Sequence, residues 1–151
     1  MDRKYRRFEK AGAILVLIMA LLQACYATFS YIDPLTFSAV RGTQLFSAMD
    51  SDWVRIYGSR TLFIALLLGY LLHVRNYSAL MWCALFGTVM PVTDGLLAFE
   101  AQAPFKVVVK HIATIVFLLV TFFVLKAATK GKVLASMSAL ADEPGVSTSV
   151  G

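Results

Sequence analysis

Three ionisable residues fall inside apolar stretches of this 151-residue chain: Arg60, Asp94 and His111. A guanidinium stays charged at every accessible pH, and a charge in hydrocarbon costs kilocalories. Arg60, directly ahead of the run Thr61 to Leu68, therefore needs a partner or a wet cavity. Asp94 and His111 are the partners the sequence offers. A histidine beside a carboxylate is oriented and kept basic, and an arginine nearby holds an anion or a polarised carbonyl. Such a set could perform general acid–base chemistry on a lipophilic substrate, with Asp94 or His111 moving the proton. Tyr57 lies three residues before Arg60 and shares its helix face, so it could donate a hydrogen bond. Thr114, three residues after His111, could do the same. Gln23, Tyr26 and Ser30, at i, i+3 and i+7, form a further polar stripe. The expected ligand-binding set is Arg60, Asp94, His111, Tyr57, Gln23 and Tyr26, with Asp94 and His111 as catalytic candidates.

Each of these residues also has a plain structural reading. An Arg60–Asp94 pair could pin two helices together, although desolvation offsets much of the attraction in such pairs. Arg60 could instead snorkel, its stem carrying the charge to the headgroups, as could Lys106 and Lys110. The stripe through Gln23 and Tyr26 could be interhelical hydrogen bonding.

Composition sets the frame for these residues. Hydrophobic residues make up 59% of the chain, against roughly 45–50% in soluble globular proteins, and the mean hydropathy is +0.73. Charged residues are 15%, with a formal net charge of +5. The basic residues flank apolar runs, which is the distribution of cytoplasmic loops of membrane proteins and argues against a nucleic-acid partner. Cys25 and Cys83 lack metal-site spacing and cannot found a disulfide framework. No phosphate loop, Ser–His–Asp set or HExxH motif is present, and His73 and His111 fall at opposite ends. Neither a metal nor a cofactor is expected.

The elements that must position the three residues are four membrane spans of about the length a crossing needs, over 11–32, 54–72, 79–99 and 105–125. The basic segment 1–10 precedes the first. Its resemblance to a signal peptide is outweighed by apolar character that continues past Cys25 through Tyr31, so a retained helix is expected. Asp33-Pro34 ends that helix. Residues 35–49 are too polar to span, and predict a short interfacial helix or ordered loop over the bundle mouth. Pro91 predicts a kink near Gly87. Residues 127–151 read as a flexible cytoplasmic tail. The positive-inside rule puts both termini and Arg75 in the cytoplasm of a cell-membrane protein. At 1.5 Å per residue, Arg60, Asp94 and His111 then lie roughly 9, 8 and 10 Å below the outer surface, one shared depth. Ala65 and Gly69 at i, i+4 would allow close helix approach and self-association.

Gly58-Ser59-Arg60, Pro91-Val92-Thr93-Asp94-Gly95 and Lys110-His111 together resemble a branch of the DoxX-like superfamily, small four-helix membrane proteins in a domain of unknown function. The resemblance covers roughly residues 10–128. It implies that Arg60, Asp94 and His111 are characteristic intramembrane polar residues, and it brings no established reaction. The chain departs from the pattern at Thr61, where an acidic residue often follows the arginine.

The sequence thus predicts an all-α, integral membrane four-helix bundle with a polar pocket for a lipophilic or anionic small ligand in the outer half of the bilayer. Two other functions remain open: a membrane-embedded acid–base enzyme, an isomerase or cyclase, and a non-catalytic accessory subunit of a membrane complex. The expected partners are the lipid bilayer, a lipophilic small molecule, and further copies or a membrane complex.

Overall fold

The structure, a computed structural model, describes residues 3–42, 45 and 48–141. Six α-helices follow in order: α1 (Arg3–Ile32), α2 (Pro34–Arg41), α3 (Ser51–His73), α4 (Tyr77–Gly87), α5 (Val89–Glu100) and α6 (Phe105–Ala141), with a 3₁₀ turn at Ala48–Asp50 before α3. Among the described residues, four stretches are long and apolar enough to cross a membrane: Arg3–Ile32, Ser51–His73, Tyr77–Glu100 and Phe105–Met137. The chain is a multi-pass, all-α membrane bundle.

Its apolar residues point both ways, as a bilayer demands. Val16, Met19, Leu68, Leu80, Leu118 and Leu125 meet in the centre. Ile14, Leu21, Phe63, Leu66, Val116 and Phe123 stand exposed on the outside. A helix that is apolar all round reads as buried or membrane-spanning. With lipid as apolar as the core, association rests on close packing and interhelical hydrogen bonds.

The main seams join α1 to α3 and α6, and α4 and α5 to α6. Gly58 makes the first seam close. A Cβ built there would lie 2.0 Å from the Ser30 hydroxyl, 3.0 Å from the Tyr31 ring and 3.2 Å from Ser30 Cβ, and Ser30 is fully buried. Gly58→Ala is therefore expected to cost about 1–2 kcal/mol, within the overpacking range. A lower midpoint of unfolding in detergent would register it, and an unchanged midpoint would refute this account of the seam.

The third span breaks where proline chemistry puts the break. Pro91 has no N–H to give the carbonyl one turn back, and α4 ends at Gly87 while α5 starts at Val89. Thr88 bridges the two, its hydroxyl donating to the Leu85 carbonyl at 2.7 Å and its own carbonyl accepting from Val92 N–H at 3.2 Å. The expected element over the mouth is α2.

Both ends differ from expectation. Helix α1 starts at Arg3, so the basic segment belongs to the helix rather than preceding it. Residues 127–141 continue α6 instead of leaving it as a tail. Ala128 is buried, and a Cβ at Gly131 would strike the Tyr5 side chain; packing on α1 keeps the helix going. The rest of the predicted tail, 142–151, lies outside the described residues, as do residues 1–2, 43–44 and 46–47. Ala65 is buried within the bundle while Gly69 faces open space, so the pair forms no common outward groove.

Candidate functional site

Helix α2 is fixed at three points. At its start the Asp33 carboxylate accepts the Thr36 N–H at 3.0 Å, with Pro34 in the first turn. This is an N-cap followed by the residue best tolerated at a helix start. Hydrogen bonds from the Thr36 side chain and backbone hold the Asp33 carboxyl below its usual range. In the middle, Phe37 is 3% exposed and lies among Tyr26, Phe29 and Tyr57, with ring centroids 5.9, 5.5 and 5.6 Å away. At the end Gly42 takes the left-handed conformation, φ +93°, a common helix stop. Its N–H reaches the Ala39 carbonyl at 3.1 Å.

Phe37 and Arg41 share one face by i, i+4 spacing, and Ser38 lies three residues before Arg41. Burying Phe37 therefore turns Arg41 inward. The Arg41 guanidinium pairs with the Asp94 carboxylate of α5. Its Cζ lies over the Tyr26 ring at 5.7 Å and over the Tyr57 ring at 5.2 Å, so cation–π attraction from α1 and α3 adds to the ion pair. The two charged side chains retain 13% and 29% of their exposure, which makes this a largely desolvated pair.

Helix α6 closes the arrangement from the opposite side. Lys110 Nζ donates to the Val40 carbonyl at 2.5 Å, and His111 Nε2 lies 3.4 Å from the Arg41 carbonyl. Both approach the carbonyl end of α2, where positive charge and donors are favoured. His111 is 2% exposed. Gly95, next to Asp94, lies against it, and a Cβ there would come within 3.2 Å of His111 Cβ. A small residue beside the aspartate lets α5 approach α6.

Two cavities meet at this junction. One, of about 280 Å³, opens among α2, α3 and α5 and is lined by Phe37, Ser38, Arg41, Leu45, Trp53, Val54, Tyr57, Asp94 and Leu97. The other, of about 60 Å³, lies between the helices. Its walls include Gln23, Tyr26, Arg41, Tyr57, Asp94, Lys110, His111 and Thr114 over an apolar lining of Met19, Leu22, Met90 and Phe117. Arg41, Tyr57 and Asp94 belong to both walls. At about 30 Å³ per water, the inner space has room for about two waters, and its polar wall provides the partners they need.

Of the residues singled out from the sequence, Gln23, Tyr26, Tyr57, Asp94 and His111 line the inner cavity together. Arg60 does not join them. It is exposed on α3, and the cation paired with Asp94 is Arg41. The difference from expectation is one of rotation about α3. The inward face of α3 carries Gly58, Thr61, Ala65 and Leu68, and Arg60 is two residues from Gly58, a rotation of about 200° at 3.6 residues per turn. The small residues of that stripe, Gly58, Thr61 and Ala65, were visible in the sequence and mark the buried face. Arg41 was legible as well. An aromatic four residues ahead of an arginine, just before a glycine stop, describes a short helix that anchors on Phe37 and turns Arg41 inward.

A family model with the description Domain of unknown function (DUF4267) matches residues 20–125, a span that includes every residue lining the two cavities except Met19. No curated protein and no solved structure matches the chain.

Proposed function

This chain belongs to the family described as a domain of unknown function (DUF4267), and from that footing we propose that it is a membrane receptor pocket for a lipophilic small molecule whose polar head is held at Arg41. The observation that carries this reading is the position of the Arg41–Asp94 pair on the shared wall of two cavities. An ion pair serving only to pin helices has no need of an open chamber beside it, and buried pairs are weak stabilisers. The mouth cavity mixes apolar walls from Phe37, Leu45, Val54 and Leu97 with a few convergent polar groups, the usual make-up of a small-molecule site.

The mouth opens toward the outer leaflet of the cell membrane in this proposal. Arg3, Lys4, Arg6, Arg7, Arg75 and Lys130 lie toward the other end of the helices, and excess lysine and arginine favours the cytoplasmic side. Kinship with the DoxX-like superfamily, on the Gly58–Arg60, Pro91–Gly95 and His111 pattern, belongs to the same proposal. A second reading has one observation in its favour. Asp94 and His111 share the inner cavity, so a ligand whose head reached them could exchange a proton there, as in an isomerase or cyclase.

Trp53 lines the mouth and is one of two tryptophans in the chain. In a Trp82→Phe variant in zwitterionic nanodiscs, a chain-brominated amphiphile bound at the mouth is expected to quench Trp53 along a saturable curve. Quenching that only rises linearly with the amphiphile in the bilayer would reflect partitioning and would overturn the pocket.

A further inference from the structure

The charges around the two cavities select among ligands, given the pocket proposed above. Arg41 and Lys110 contribute two cations, and Asp94 the one carboxylate, among the lining side chains. With histidine counted as neutral, the junction carries a formal charge of +1. The carbonyl end of α2 offsets part of the Lys110 charge, because a helix terminus bears about half an elementary charge; the balance stays positive. In a medium poor in water an uncompensated charge is costly, so a single negative charge on the ligand would complete the site. A cationic head would add to the imbalance, and a neutral head would leave it.

Shape narrows the class further. A cavity of about 280 Å³ corresponds to about nine water volumes at 30 Å³ each, hence about nine non-hydrogen atoms. That is enough for an oxyanion head with part of one chain or one ring. Tyr26 and Tyr57 turn their ring faces toward Arg41 Cζ. A guanidinium presents its donors in its own plane as a fork that matches carboxylate and phosphate alike. The formal charge of +1 is answered by the single charge of a carboxylate rather than by the about −1.5 to −2 of an alkyl phosphate at neutral pH. We infer that the junction of the two cavities takes an ionised carboxylic acid on a single apolar chain or ring, its apolar part in the mouth cavity, with Arg41 of the shared wall on the carboxylate and Lys110 of the inner cavity supplying the second positive charge.

The Trp53 assay tests this with three ligands sharing one brominated chain: the carboxylate, its methyl ester and the corresponding alkyl phosphate. The carboxylate is expected to bind roughly tenfold or more tighter than the ester, the scale of a hydrogen bond to a charged group. It should also bind tighter than the phosphate. Lys110→Gln should weaken the carboxylate by roughly two- to fivefold, as for a partly exposed charge, and leave the ester unchanged. The paired substitution Arg41→Gln with Asp94→Asn removes both charges of the ion pair and should abolish the preference for carboxylate over ester. If the ester saturates as tightly as the carboxylate, or the preference survives in the paired variant, the anion assignment is wrong while the pocket stands. If the phosphate binds more tightly, the carboxylate choice is wrong. If no ligand saturates, the pocket itself is wrong.

Discussion

Asp94→Asn is expected to destabilise the bundle by about 3 kcal/mol, the lower end of the range for breaking a buried ion pair. The value is placed low because the Asp94 side chain keeps 29% of its exposure and some solvent compensation with it. The loss comes chiefly from Arg41, which would stay desolvated against Tyr26 and Tyr57 with no carboxylate to answer it. Neutralising both partners, Arg41→Gln with Asp94→Asn, should therefore recover most of the loss, since no isolated charge remains. Unfolding of purified protein in detergent micelles, followed by near-ultraviolet circular dichroism, reads both variants. If the paired variant is as unstable as Asp94→Asn alone, the charge account is wrong and side-chain shape at Asp94 is what matters. The same paired variant is the one expected to lose its carboxylate preference. Stability and binding are thereby separated: a protein that folds without the two charges but no longer selects an anion uses Arg41 for its ligand.

Gly42→Ala should be comparably damaging, about 2–5 kcal/mol, with its consequences centred on the site. Two costs add. The left-handed φ of +93° costs a residue bearing a Cβ about 1–2 kcal/mol. That Cβ would also lie 2.8 Å from Val107 and 3.2–3.3 Å from Ala98 and Ala103, an overpacking of about 1–3 kcal/mol. Gly42 follows Arg41 directly, so relief of the clash must move the arginine, its pairing with Asp94 and its carbonyl against His111. The variant should show lower thermal stability together with a changed Trp53 emission. A lower stability with an unaltered Trp53 signal would show that the stop of α2 is mechanically separate from the mouth.

The helical architecture was legible in the sequence because its cause is local. Lengths of apolar chain set the four spans, and Asp33-Pro34 and Pro91 set a stop and a break through missing donors and ring clashes. The short element over the mouth follows from residues too polar to enter hydrocarbon. The meeting of Asp94 and His111 at one level of the bundle followed equally, since rise per residue converts position in the chain into position along a helix. The end of α6 was not legible in the sequence, because small and polar residues after Lys126 resemble a tail. They remain helical where Ala128 and Gly131 find buried neighbours, which no local pattern announces.

Tertiary structure decided which arginine answers Asp94. Arg60 and Arg41 are both plausible by charge, and Arg60 is the better candidate by depth. Pairing requires rotation as well as depth, and rotation is set by what each helix buries. Gly58 against Ser30 turns Arg60 outward on α3, and Phe37 among three aromatic rings turns Arg41 inward on α2. The sequence by itself determined that this protein crosses a membrane four times with a carboxylate and a histidine at one level. Packing determined the cation that meets them, because a side chain points wherever its neighbours on the same helix are buried.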